Sequence, residues 1–227
     1  NTMTMSFAGD FAVEFRAFDN GVAYRFVTRK KGRVNVDNET FTINFPADYT
    51  ADVSHVNNFK TSCETTYNHI STKSFKPSDD MTYLPILIRT DKKYRILISE
   101  TDLKDYPGMF LKGTGNNGMS ALFPPCPLEF GPDGDRSVKF TKTASYIANT
   151  TGTRSFPWRY FMIAKNDKDI LLNQLTYQLS SPCEIKDPSW IKPGQVSWDW
   201  WNHKMIWNVD FKSGINNDTY KYYIDFA

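Results

Sequence analysis

Gly113-Thr114-Gly115-Asn116-Asn117-Gly118 has the GxGxxG spacing that lets a backbone approach a pyrophosphate. That chemistry needs a helix directly after the last glycine, because the helix N-terminus meets the phosphates. Here Phe123-Pro124-Pro125-Cys126-Pro127 follows, which cannot be that helix. The segment reads as a flexible loop, and dinucleotide binding is set aside. Asp133-Gly134-Asp135 offers half of a calcium loop but lacks the later Asp/Asn and Glu of an EF-hand, so it reads as a turn. His55, His69 and His203 lack metal-ligand spacing, and no Ser/His/Asp set assembles around them. Cys63, Cys126 and Cys183 allow at most one bridge and contain no CxxC pair; they read as small buried hydrophobes. Asn38-Glu39-Thr40, Asn149-Thr150-Thr151 and Asn217-Asp218-Thr219 fit the N-glycosylation pattern, which matters only in a glycosylating host.

Two further segments carry more information. The strand pattern over Tyr94 to Ser99 delivers Glu100 to a sheet rim, just before Tyr106-Pro107-Gly108 forces a turn. A carboxylate there can ligate a hard cation such as calcium through oxygen, or stand as a solvated loop acid. The second segment runs from Asp187-Pro188 to Trp198-Asp199-Trp200-Trp201. On a strand, Trp198 and Trp200 fall on one face, Asp199 and Trp201 on the other. Trp198, Asp199 and Trp200 are candidates for substrate contact, with plain packing of bulky rings as the competing reading.

The elements that must hold these groups are mostly strands. Phe11, Val13, Phe15 and Ala17 alternate with Ala12, Glu14 and Arg16; Asp19-Asn20-Gly21 follows, and alternation resumes through Val22, Tyr24 and Phe26. Alternation on both sides of an Asn-Gly pair predicts a hairpin. Lys30-Lys31-Gly32 reads as another turn. Phe41, Ile43 and Phe45 alternate; Leu84 to Arg89 and Tyr94 to Ser99 flank Asp91-Lys92-Lys93 as a third hairpin; Val138 to Thr141 and Arg159 to Ala164 add two strands. Residues 56–72 read as a short helix or an irregular excursion, and 112–136 as a long Gly/Pro-rich surface loop. After Pro182, Val196 to Trp201 reads as a buried strand. Asn216-Asn217-Asp218 then caps a helix carrying Tyr220, Tyr223, Ile224 and Ala227 at i, i+3, i+4 and i+7.

Composition limits the function classes. With 27 basic and 25 acidic residues among 227 and no basic stripe, nucleic-acid binding has little support. No apolar run reaches the roughly 20 residues of a membrane span, and Asn1-Thr2-Met3-Thr4 carries no signal-peptide pattern. Aromatic residues at 15% suit half-buried sheets, and they also suit platforms for sugar rings.

The chain resembles glycoside hydrolase family 97, the α-glucosidase and α-galactosidase group that includes starch-utilisation enzymes of gut Bacteroides. The resemblance runs through Asp19 to Arg25, Glu64-Thr65-Thr66-Tyr67, Glu100 to Leu111, Pro157-Trp158-Arg159, Ser189 to Trp201 and Tyr223 to Ala227. It implies a mainly β fold: an N-terminal β-super-sandwich over 1–187, its opening strands absent, then at 188–227 the first βα unit of a (β/α)8 barrel. It implies a calcium-dependent, exo-acting α-glycosidase acting on terminal α-linked sugars of oligosaccharides in the periplasm or another extracytoplasmic space. Glu100 is the position it assigns to a calcium ligand. The catalytic carboxylates belong to later barrel strands, so none is expected in this chain, which by itself should be inactive. Its partners are then the oligosaccharide and the remaining barrel and C-terminal domain of the same polypeptide, with no nucleic acid and no membrane span. The alternative is a non-catalytic carbohydrate-binding or scaffold module.

Overall fold

The computed structural model describes residues 1–91, 94–134 and 137–227. By its contacts the chain divides into two compact units, Asn1–Ser181 and Pro182–Ala227; in the sequence the character changes near Pro182, and the expected domain bound follows at residue 187.

The first unit carries sixteen strands among its described residues: β1 (Thr2–Phe7), β2 (Phe11–Phe18), β3 (Gly21–Val36), β4 (Thr42–Asn44), β5 (Thr50–Val53), β6 (His55–Val56), β7 (Asn68–Ser71), β8 (Met81–Tyr83), β9 (Ile86–Thr90), β10 (Tyr94–Thr101), β11 (Phe110–Gly113), β12 (Gly118–Leu122), β13 (Pro127–Asp133), β14 (Ser137–Thr143), β15 (Ala148–Ser155) and β16 (Trp158–Ala164). A nine-stranded sheet runs β1-β2-β3-β16-β10-β9-β5-β7, with β15 also on β3; a five-stranded sheet runs β4-β12-β11-β8-β6; β13 and β14 form a separate ribbon. The described pairings are all antiparallel. The two larger sheets enclose a core of Phe41, Phe45, Val53, Phe75, Ile86, Ile88, Ile98, Leu111 and Met119 with their neighbours. This is the expected sandwich, and the alternating Phe41, Ile43 and Phe45 supply part of its interior.

The outer face of the large sheet has its own cover. Helices α1 (Asp167–Leu171) and α2 (Leu175–Leu179) follow β16 directly, and Leu175 and Leu179 pack on Ala23, Trp158, Tyr160 and Met162. Period-two alternation thus sends Trp158, Tyr160 and Met162 outward to the helices and leaves Arg159 on the other face. β15 and β16 lie end to end along one side of β3: Ser155 faces Val27, and Arg159 faces Tyr24. The break falls at Phe156-Pro157, where proline has no N–H to give the ladder.

Several sequence expectations change here. The first hairpin exists, but its two-residue connection is Asp19-Asn20, and Gly21 already pairs with Phe18 inside β3. Gly21 is small for another reason: a Cβ there would strike the Phe161 carbonyl and the Leu175 side chain. Lys30-Lys31-Gly32 is not a turn. β3 continues through it, with Gly32 at φ 69°, and the register against β15 slips between Thr151 and Thr153. A left-handed glycine serves a bulge as well as a turn, so residue type could not separate the two. Residues 112–136 are not one long loop either; β11, β12 and β13 occupy most of them. The Gly113–Gly118 segment is the tight β11–β12 connection, closed by Thr114 N donating to the Gly118 carbonyl, and a strand rather than a helix follows it. Residues 56–72 are the expected irregular excursion, with β6 and β7 at its ends. The third hairpin forms, Tyr94 facing Thr90, while Lys92 and Lys93 lie outside the described residues, as does Asp135 of the Asp133-Gly134-Asp135 turn. Cys63 and Cys183 are exposed and Cys126 is half-buried, so the cysteines are not the buried hydrophobes expected. Cys63 stands in the polar excursion at φ 59°, where no core is available to it.

Gly113 gives a test of the packing. A Cβ at this position would fall on the Phe75 carbonyl, a backbone group that cannot swing aside. Gly113→Ala is expected to destabilise the sandwich by about 1–3 kcal/mol through overpacking. Gly194→Ala, where a Cβ meets nothing within 4 Å, should leave the same unfolding midpoint unchanged.

In the second unit, Asn216 caps α3 (Asn217–Phe226) by accepting from Thr219 N, as its side-chain type predicts. The Val196 to Trp201 strand does not form. Asp199–Asn202 is a 3-10 turn, and Trp201 N donates to the Trp198 carbonyl. A strand needs a neighbouring ladder. Among the described residues of 182–227 there is no other strand, so the backbone closes on itself.

Candidate site at the Glu39, Arg159 and Glu100 triad

Glu100 lies next to last in β10 and directly opposite Arg159 of β16. Its position shares the parity of Ile96 and Ile98, so the side chain turns in toward the core rather than out from the rim. There Arg159 Nη1 donates to Glu100 Oε2. The other two Arg159 nitrogens go to Glu39: Nε to Oε1 at 2.8 Å and Nη2 to Oε2 at 2.9 Å. Arg159 and Glu39 side chains are 1% and 3% exposed, Glu100 9%. The guanidinium also sits 5.4 Å from the Phe123 ring centroid.

The Glu100 carboxylate has a second task. Both of its oxygens accept from Met109 N, at 3.0 and 3.1 Å, folding residues 101–109 back over the strand end. That loop holds two non-glycine residues in the left-handed region, Asp102 at φ 65° and Asp105 at φ 52°. Their side chains anchor it: Ser181 N and Oγ donate to Asp102, and Thr150 Oγ1 donates to Asp105. Backbone held in sparsely populated regions by surrounding contacts is a frequent mark of functional sites.

Burial dominates the electrostatics of Glu100. Burial pushes the Glu100 carboxyl from the usual carboxylate range up to about 7; Glu39 pushes the same way, and Arg159 and the Met109 N–H pull against it. Burial, then the Glu39 charge, drives the Tyr24 and Tyr106 hydroxyls well above their ordinary value, so both stay protonated. Among the described residues the ion pairs of Glu39 and Glu100 are both with Arg159. The triad therefore sets two carboxyl groups against one guanidinium. Both Glu100 oxygens are thus already engaged, by the Arg159 guanidinium and the Met109 N–H, and no cation-binding group is completed around them among the described residues. Calcium takes six to eight oxygens, and no group of three His, Cys, Asp or Glu side chains that could hold a metal occurs among the described residues. Further ligands would come from outside them.

The second unit places Trp198, Asp199 and Trp200 in and beside the 3-10 turn. Trp198 lies 5.7 Å from Trp201, Lys204 Nζ stands 4.9 Å from the Trp200 ring, and all three indoles are more than half exposed. The expected sharing of a face by Trp198 and Trp200 is lost with the strand; i and i+3 meet instead. Glu39 was missed by the sequence reading, which saw it only inside a sequon. The available signal was Arg159, a charged residue at a core-facing position that requires a buried partner.

The sequence profile of the glycosyl-hydrolase 97 N-terminal domain matches residues 1–182. The chain belongs to glycoside hydrolase family 97. The retaining alpha-galactosidase of Bacteroides thetaiotaomicron is 37% identical over 239 residues, covering 100% of this chain and 36% of the relative. Two solved structures show the same fold. A family 97 enzyme from Pseudoalteromonas sp. strain K8 in complex with acarbose has a TM-score of 0.73 at 22% identity, covering 99% of this chain and 32% of its own. A beta-arabinopyranosidase has a TM-score of 0.66 at 22% identity, covering 95% and 33%. The family 97 chain thus spans about a third of the length of these relatives. No helix among its described residues is long and apolar enough to cross a membrane.

Proposed function

We propose that the chain is the N-terminal part of a calcium-dependent, exo-acting α-galactosidase that cleaves terminal α-linked galactose from oligosaccharides in an extracytoplasmic compartment. The observation that carries this is the 37% identity to the retaining alpha-galactosidase, sustained over the whole chain. Glycoside hydrolysis uses two carboxyl groups flanking the scissile bond. In this reading they stand on the barrel that the relatives' greater length provides, with a C-terminal domain beyond it. The sandwich contributes Glu100 as one calcium ligand. A calcium ion held there would supply Lewis-acid polarisation. The exposed faces of Trp198 and Trp200 stack on the apolar side of a sugar ring, and Asp199 accepts from its hydroxyls.

The test compares substrates. The full-length enzyme is expected to turn over p-nitrophenyl α-galactoside at least about tenfold faster than the α-glucoside, a difference of roughly 1.4 kcal/mol in barrier. The 227-residue chain is expected to turn over neither. Preference for the glucoside would move the assignment to an α-glucosidase, and sugar binding without turnover by the full-length protein would leave a binding module.

A further inference from the structure

The two sheets of the sandwich are unequal, nine strands against five, and the excess lies on one side. Phe161 of β16 stacks at 6.3 Å on Phe41, the residue before β4, so the smaller sheet ends above β16. Beyond it β3, β2 and β1 continue with their core-side positions still apolar. Met3, Met5, Phe7, Phe15, Val22 and Ile163 are between 37% and 55% exposed, whereas Ile86, Ile88 and Ile98 on the covered strands are at most 1% exposed. Glu14, Arg16 and Arg25 fall on the opposite face, so no charge interrupts the apolar one along β1, β2 and the start of β3. A contiguous patch of this kind marks a surface that something covers.

The edge of the smaller sheet beside this face is open as well. Ala121 N donates to the Phe41 carbonyl, and Phe45 N donates to the Asn117 carbonyl. Phe41, Ile43 and Phe45 therefore turn their backbone groups to β12. Antiparallel alternation points the N–H and C=O of Thr42 and Asn44 the other way, where β4 has no neighbouring strand among the described residues. Both residues are exposed. An edge with a free ladder takes an extended segment by strand addition, with alternate side chains filling the surface below. The three uncovered strands span about 14 Å, room for two or three strands in a second layer about 10 Å away.

Asn1 stands at this surface. Its carbonyl accepts from Ala17 N, and it borders a hollow shared with Met3, Phe15, Val22 and Phe161. The chain covers 36% of its curated relative, so most of such a polypeptide lies outside these residues. A segment leading into Asn1 begins beside the apolar face, and the tether gives it a local concentration that a free partner does not reach.

We propose that the residues preceding Asn1 in the full polypeptide fold back as extended strands, the first pairing with the free side of β4, and lay alternate apolar side chains on the β1–β3 face. This depends on neither the sugar specificity nor a metal, so it stands or falls separately from the α-galactosidase reading.

The experiment is hydrogen exchange at single-amide resolution on the intact full-length protein. The Thr42 and Asn44 amides are expected to exchange at least about a hundredfold more slowly than unstructured amides. Exchange at the unprotected rate overturns strand addition. A second measurement identifies the occupant without deleting anything: Phe15 is replaced by its photoreactive benzophenone analogue, and the crosslinked peptides are sequenced. Crosslinks to residues before Asn1 are the expected result. Crosslinks to residues after Ala227, to a second copy of the chain or to another protein overturn the assignment, even where the two amides are protected.

Discussion

Arg159→Met is expected to lower the stability of the sandwich by about 3–5 kcal/mol, the range for removing one partner of a buried ion pair. Methionine fills much of the same space, so the loss is electrostatic rather than a cavity. It strands Glu39 and Glu100, at 3% and 9% exposure, without a cation between two packed sheets. Urea unfolding of the 227-residue chain measures it, as a lower midpoint for the sandwich transition. A companion variant separates the causes. Arg159→Met combined with Glu39→Leu and Glu100→Met removes all three charges, and apolar replacement of a whole buried triad is often neutral or better. Recovery of most of the loss in that variant is the expected result. A single-variant effect below about 1 kcal/mol would mean that water reaches the triad and that its charges are effectively solvated.

Trp158→Ala should be as severe, for a different reason. The indole is fully buried. It packs with Leu175 and Leu179, and the guanidinium carbons of Arg25 and Arg16 stand 4.3 and 4.7 Å from the ring. Truncation removes a large apolar contact and leaves a cavity, about 3–5 kcal/mol for Trp→Ala. It also takes the platform from two cations that Glu14 bridges. Phe130→Ala on the β13–β14 ribbon is the contrast. Phe130 is 59% exposed and touches Phe140 across the ribbon, so the change should stay within about 0.5 kcal/mol. Equal losses at the two positions would show that the outer layer of helices is not a cooperative part of the fold.

Alternation was the legible part of this sequence. It marks β2, the start of β3, β9, β10 and β16, because one face of each meets a core and a period of two follows. Punctuation was less legible. Gly32, Gly113 and Gly118 all look like turn residues; the first sits in a bulge, and the other two flank a hairpin where bulkier side chains would strike backbone. Pro124 to Pro127 suggested a loop, yet Pro127 begins β13. Proline is tolerated at the first residue of a strand, and the residue type does not reveal that use. The Trp198–Trp201 run looked like a strand because a strand's identity rests on hydrogen-bond partners far away in sequence. For the site, Glu100 was found through the Tyr-Pro-Gly turn beside it. Arg159 at a core-facing position signals a buried partner, but that the partner is Glu39 could not be read, since the two are 120 residues apart and only the fold brings them together.

That separation also bears on how the chain reaches its fold. β3 is made early, but the strands that complete its second side, β15 and β16, come more than a hundred residues later, as the Thr28 to Gly152 bond at a spacing of 124 shows. Contacts so distant require closing a very long loop before any of them contributes, and chains dominated by such contacts fold slowly. On the ribosome the N-terminal strands must therefore wait, one flank of β3 unpaired, until Phe156-Pro157 and β16 emerge. The charged triad is assembled in that same late step. Glu39 stays hydrated until Arg159 arrives, so its desolvation is deferred until the counter-ion is at hand.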